Sequence, residues 1–250
     1  MRSEIHTPLL ISMIQAEDPG KILYAVRRGH EEGCDAFGFQ FCQVAPEFRD
    51  KKTVREIFSA MEGKPVYVTN YRGSKNTGKT DDELAEGLLF LAENGASLCD
   101  VMGDYYDRTP GELTYNAEAI ENQKHLIDRI HEAGAAVLMS SHVLKFTAAE
   151  DVIRIALEQQ ARGADVVKIV TAADSEEEER ENLKATILLK EKLSVPFLFL
   201  SGGSHNRLHR TLGIFLGCSF ALCVPEHDAL STKSQPLLRD MRALKSILAS

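Results

Sequence analysis

The chain has 250 residues, 44% hydrophobic and 26% charged, the make-up of a globular protein with one large core or two small ones. Its formal net charge of -8 argues against nucleic acid or an anionic membrane as partner, since both call for clustered positive charge. No apolar run nears the roughly 20 residues that cross a bilayer, and the segment Met1 to His6 lacks the apolar core of a signal peptide. The five cysteines (34, 42, 99, 218 and 223) are scattered, which fits reduced thiols in the cytoplasm rather than a disulfide framework or a zinc site.

The apolar run from Pro8 to Ile14 predicts a first strand. Pro19-Gly20 opens a helix with Ile22, Leu23 and Val26 at helical spacing, and Gly33 ends it. A second strand covers 36–42, a helix 50–60 and a third strand 64–69. A polar loop over 71–80 leads to a helix capped by Asp81. A fourth strand at 96–102 precedes a long loop over 104–114, and a helix over 116–133 is stopped by Gly134. Strand five covers 135–140. Thr147 caps the next helix, which Gly163 ends, and the run to Val170 is strand six. Glu176 to Glu179 start a helix whose N-terminal dipole suits negative charge. Strand seven at 195–200, a glycine turn, a helix over 206–216 and strand eight at 219–224 follow. A final helix carries Leu237, Leu238, Met241, Leu244 and Leu248.

Eight strands alternating with eight helices imply parallel pairing, and this count and length are those of a closed (β/α)8 barrel, residues 1–250 forming one domain. An open doubly wound sheet is the alternative. It would more often carry a Gly-x-Gly-x-x-Gly turn after the first strand, where this chain has Gln15 to Gly20.

A barrel keeps its chemistry at the C-terminal ends of the strands. Lys168 interrupts the β-branched run of strand six and shares a face with Val166 and Val170. It reads as a surface lysine whose tip reaches water, or as a buried amine that loses its proton readily and becomes a nucleophile. His142 follows Leu138 and Ser140 on one face of the neighbouring strand. It reads as a packing histidine or as a proton carrier. An amine beside an imidazole suits carbonyl chemistry through an imine, with the histidine moving protons. Arg210, early in the helix after the glycine turn, suits a carboxylate or is a surface residue. Strand three leads to Arg72, and the loop after strand eight supplies Ser231 and Gln235. The loop after strand eight is acidic and lacks glycine, which disfavours a phosphorylated substrate. His205 and His209 lack a third ligand, so the expected metal set is none, and they read as loop and helix surface.

The run Val137 to Val143 with Thr147, the motif Gly163-Ala164-Asp165-Val166-Val167-Lys168-Ile169, and Arg210 with Gly213, Phe215 and Gly217 resemble the type I 3-dehydroquinate dehydratases. Ser231-Thr232-Lys233-Ser234-Gln235 is similar to the family's closing loop in its outer serine and glutamine. The resemblance implies a (β/α)8 barrel, commonly dimeric, that needs no metal or cofactor. It implies that Lys168 forms an imine with the ketone, and that His142 moves the protons of a syn loss of water giving 3-dehydroshikimate. Arg210 would bind the small-molecule carboxylate substrate, and Ser231 and Gln235 would reach its ring from a lid. The chain departs from the family in its first half. Gly38 and Gln40 stand where the family has Glu-x-Arg on strand two. After strand three a one-residue shift matches Arg72 to the family's arginine and Asn76 to the glutamate that orients the histidine. Two alternatives stay open: a divergent Schiff-base lyase or aldolase acting on another oxo-acid, and a non-catalytic carboxylate-binding barrel.

Overall fold

The computed structural model describes residues 8–248, with the side chain of Leu248 left out. The segment Met1 to His6 and the inward role expected of Leu248 therefore lie outside the described residues. Eight strands run β1 (Leu9–Ile14), β2 (Ala36–Gln40), β3 (Val66–Thr69), β4 (Leu98–Met102), β5 (Ala136–His142), β6 (Val166–Ala172), β7 (Phe197–Gly202) and β8 (Phe220–Cys223). Each is followed by a helix: α1 (Pro19–Glu31), α2 (Lys51–Ala60), α3 (Asp81–Glu93), α4 (Ala117–Glu132), α5 (Ala149–Ala161), α6 (Glu176–Lys192), α7 (Arg207–Leu216) and α8 (Leu238–Leu248). The sheet order is β7-β6-β5-β4-β3-β2-β1-β8, and every pair is parallel. The order never reverses, so the switch point of a doubly wound sheet is absent and β8 returns to β1. At the remaining seam Ser219 N donates to Phe197 O at 2.9 Å. This is the expected (β/α)8 barrel, nearly closed.

The strands are apolar on both faces because each is covered twice. Phe37, Phe39, Val137, Met139, Val167, Ile169 and Phe199 are buried beneath the helices. The interior alternates with them: Ile11, Leu138, Leu198 and Phe220 are buried, and polar groups follow toward the C-terminal rim.

Local chemistry sets the helix ends. Asp18 caps α1 by accepting from Lys21 N, and Pro19 starts it. The cap of α3 is Thr80, not the expected Asp81, because Thr80 and Glu83 form a reciprocal capping box. Thr147 caps nothing: its hydroxyl donates to Lys145 O, and α5 starts after Ala148. β2 stops at Gln40, and 41–43 tighten into a 3-10 turn. β5 and β6 run two residues past their expected ends, which brings His142 inside a strand. All five cysteines are free and buried. Among the described residues no helix is long and apolar enough to cross a membrane.

Candidate active site

The strand register decides which side chains meet at the C-terminal rim. Ser140 pairs with Lys168, and His142 with Val170. Lys168 is 3% exposed, which excludes the surface reading. Its backbone is clamped by buried Gln159 of α5, whose Oε1 accepts from Lys168 N at 3.2 Å and whose Nε2 donates to Lys168 O at 3.1 Å. Nζ then donates to Asp100 Oδ2 at 3.0 Å, Tyr67 OH at 3.0 Å and Tyr71 OH at 2.5 Å. These match the three donors of an ammonium.

Asp100 is 1% exposed. Burial alone would raise its carboxyl, but the charges of Lys168 and His142 and hydrogen bonds from Ser140 and Tyr67 hold it below the usual carboxylate range. Ser140 Oγ donates to Asp100 Oδ1 at 2.5 Å, and both tyrosine hydroxyls donate to Oδ2. Burial, followed by the charge of Asp100, pushes both phenols well above their ordinary value.

His142 has a carboxylate partner. Its Nδ1 lies 2.6 Å from Glu112 Oε2, an arrangement that leaves Nε2 for the cavity. Glu112 belongs to the loop between β4 and α4 and has φ +52, a left-handed backbone that is costly outside glycine. The loop is held from below. Buried Arg162 donates to Gly103 O at 3.0 Å and Thr114 O at 2.5 Å, and Gln123 donates to Gly103 O and Tyr105 O. Gly103 is required there, because a Cβ would stand 2.7 Å from Glu112 O. The expected orienting position, Asn76, is occupied elsewhere: it bonds Arg49, Asn70 and Tyr71 O.

A cavity of about 310 Å³ opens above these groups. Lys168, His142, Arg210, Gln235 and Gln40 all line it. Arg210 Nε donates to Ser201 O at 2.7 Å, and burial lowers the guanidinium to about 10. Gln40 Oε1 accepts from Gln15 Nε2 at 2.8 Å, and the same Nε2 donates to Thr232 Oγ1 at 3.1 Å, which ties strands one and two to the loop after β8. Among the described residues Gln235 Oε1 and Thr69 Oγ1 are buried without a partner, and both residues line the cavity. Orphaned groups of this kind are rare in folded proteins.

Two expected residues stand elsewhere. Arg72 does not line the cavity: Nε and Nη2 go to Asp81 and Nη1 to Asp104, all within 2.8 Å. β3 ends at Thr69, and the chain keeps its alternation without the one-residue shift, so Tyr71, two residues past Thr69, lines the cavity instead. Ser231 is turned aside by Asp228, whose N donates to Ser231 Oγ at 2.8 Å, and Thr232 and Ser234 line the cavity in its place. His209 is not surface. It is 1% exposed and its Nε2 lies 2.9 Å from Thr186 Oγ1. At Gly38 a Cβ would meet Met13 Sδ at 2.1 Å, so Met13 fills the space of a strand-two side chain.

Sequence reasoning missed Asp100, Tyr67, Tyr71 and Glu112. Asp100 had a signal of the same kind as Lys168, a lone charge inside an apolar strand.

The rim of the barrel gathers a buried lysine, a carboxylate-held histidine and a cavity arginine, the make-up of an enzyme active site. Residues 12–250 match the model of the type I 3-dehydroquinases, and the chain belongs to that family of hydro-lyases. It is 31% identical over 211 residues to the 3-dehydroquinate dehydratase of Klebsiella pneumoniae subsp. pneumoniae, covering 84% of this chain and 79% of the relative. To the 3-dehydroquinate dehydratase of Alkaliphilus oremlandii it is 28% identical over 185 residues, 71% of this chain and 67% of the relative. The crystal structure of 3-dehydroquinate dehydratase from Geobacillus kaustophilus HTA426 superimposes with a TM-score of 0.82 at 18% identity, covering 97% of this chain and 91% of that one. For the type I enzyme from Clostridium difficile the TM-score is 0.80 at 15% identity, with 97% and 92% covered.

Proposed function

We propose that the protein, acting as a single barrel domain and a homodimer in the cytoplasm, dehydrates 3-dehydroquinate to 3-dehydroshikimate in the shikimate pathway through an imine on Lys168. The observation that carries this is the buried lysine beside a histidine whose Nδ1 is held at 2.6 Å by Glu112. Lys168 Nζ condenses with the ketone, and the iminium draws electrons from the adjacent C–H bond. His142 Nε2 takes that proton and returns one to the departing hydroxyl on the same face, a syn elimination. Glu112 fixes the tautomer and supports the imidazolium that forms. Arg210 grips the carboxylate. The orphaned oxygens of Gln235 and Thr69 accept the hydroxyl protons of a polyhydroxylated ring, and Gln40 stands near them. The reaction draws on no group beyond these side chains. Conversion of 3-dehydroquinate is followed by the ultraviolet absorbance of the conjugated product. The expected outcome is turnover by the wild-type chain and none by Lys168→Ala, whereas turnover that survives this substitution contradicts the reading.

A second reading is favoured by Gly38, Met13 and Tyr71. They give the β1–β3 wall a thioether and a phenol and no charge, which suits a less hydroxylated oxo-acid processed through the same lysine. Faster turnover of such an acid than of 3-dehydroquinate decides for it.

A further inference from the structure

Within the cluster around Lys168, the parts differ in access. Asp100 and Tyr67 are 1% and 2% exposed, whereas Tyr71 is half-buried and stands on the cavity wall. Its hydroxyl touches Lys168 Nζ at 2.5 Å, and its ring meets the His142 imidazole edge to face at 5.1 Å. For a ketone carbon to bond Nζ, its oxygen comes to rest two bonds away, about 2.4 Å from the nitrogen given single bonds near 1.5 Å. A ketone that approaches Nζ from the Tyr71 side of the cavity, where the hydroxyl stands 2.5 Å from the nitrogen, brings its oxygen within hydrogen-bond reach of that hydroxyl. His142 makes no such contact with Nζ. Its Nδ1 is taken by Glu112, and among the described residues its ring has no hydrogen bond to Nζ.

We propose that the Tyr71 hydroxyl is the proton relay for imine formation, carrying protons between Lys168 Nζ and the ketone oxygen. This rests on the imine reading above. In the first step the phenol swings its single proton from Asp100 Oδ2 to the carbonyl oxygen and passes it there, while the ammonium passes a proton to the Tyr71 oxygen. The freed lone pair of Nζ forms the carbon–nitrogen bond as the carbon–oxygen π bond breaks, giving a carbinolamine protonated on nitrogen. In the second step a proton on nitrogen moves to Tyr71, and the phenolic proton moves to the carbinolamine hydroxyl. The carbon–oxygen bond breaks, water leaves, and the nitrogen lone pair closes the iminium. One positive charge is present throughout, Asp100 stays a carboxylate beside it, and Tyr71 ends each step as a phenol. A phenol pushed well above its ordinary ionisation by burial and by Asp100 keeps its proton between steps, as a relay must. The division of labour follows: Tyr71 serves the nitrogen, and His142 serves the C–H bond and the departing hydroxyl.

The test uses a deoxy analogue of 3-dehydroquinate that lacks the hydroxyl that leaves, labelled with 18O at the ketone. Loss of label to water reports carbinolamine and imine formation alone. The relay predicts fast exchange by the wild-type protein and exchange slower by about 100-fold in Tyr71→Phe, the usual contribution of a positioned acid–base group. Equal exchange by both proteins overturns the relay and leaves the imine reading standing. Wild-type exchange no faster than buffer overturns the imine reading and the relay with it. Should Tyr71→Phe fail to fold, ring-fluorinated tyrosine placed at 71 keeps shape and acidifies the phenol. The alkaline limb of the exchange rate then moves to lower pH if Tyr71 carries the proton, and an unmoved limb contradicts it.

Discussion

Glu112 Oε2 lies 2.6 Å from Nδ1 of His142 and also 3.2 Å from the histidine's own backbone N. One carboxylate oxygen therefore fixes both the ring and the strand end that carries it. The barrel supplies this partner from the loop after β4 rather than from the segment after β3.

Glu112→Gln keeps the shape and removes the charge that supports an imidazolium. Steady-state kinetics are expected to show kcat lower by about 10- to 100-fold with KM little changed, since outer partners of this kind carry that weight. A change in KM alone would place Glu112 in substrate binding instead.

Asp100→Asn removes the counter-charge of a lysine that is 3% exposed. Breaking a buried pair from one side costs about 3 kcal/mol or more, so the midpoint of urea unfolding is expected to fall clearly. The double variant Asp100→Asn with Lys168→Met is expected to recover part of the loss, because the stranded charge is then gone.

Arg210→Ala deletes the cavity guanidinium while leaving Lys168 and His142 in place. A charge-assisted contact is worth about 3 kcal/mol, and at about 1.4 kcal/mol per decade kcat/KM is expected to drop roughly a hundredfold for a carboxylate substrate. Methyl-ester substrates are expected to lose far less.

His209 gives the protein a defined acid sensitivity. Burial, aided by the charge of Arg210, lowers it from 6.5 to about 4. The unfolded chain takes up a proton below 6.5 that the folded chain refuses, so this contribution to stability is complete above pH 6.5 and is lost as the pH falls toward 4. The span of about 2.5 units corresponds to about 3 kcal/mol. Thermal melts of His209→Gln across this window are expected to show a shallower fall than the wild-type chain.

The barrel was legible because each strand is a short apolar run between turn signals, and length alone separates those runs from the helices. Lys168 and His142 were legible because alternation along neighbouring strands is a local rule. Asp100, Tyr67 and Tyr71 meet Lys168 across 68, 101 and 97 residues, and only barrel closure brings them together. Asp100 was nonetheless readable as the opposite charge in strand four that a buried lysine needs. Glu112 was not, because its position comes from a left-handed loop whose path depends on Arg162 and Gln123. Arg72 and Ser231 were misplaced for a related reason: loop side chains choose between the cavity and nearby acids, and Asp81, Asp104 and Asp228 were closer.

The proposed reaction turns on a covalent bond between Lys168 and a ketone substrate. It is tested most directly by mass spectrometry after incubation with 3-dehydroquinate and sodium borohydride. The expected outcome is a ligand-sized mass increment that maps to Lys168 and vanishes in Lys168→Ala. A folded wild-type protein that gains no mass would contradict it.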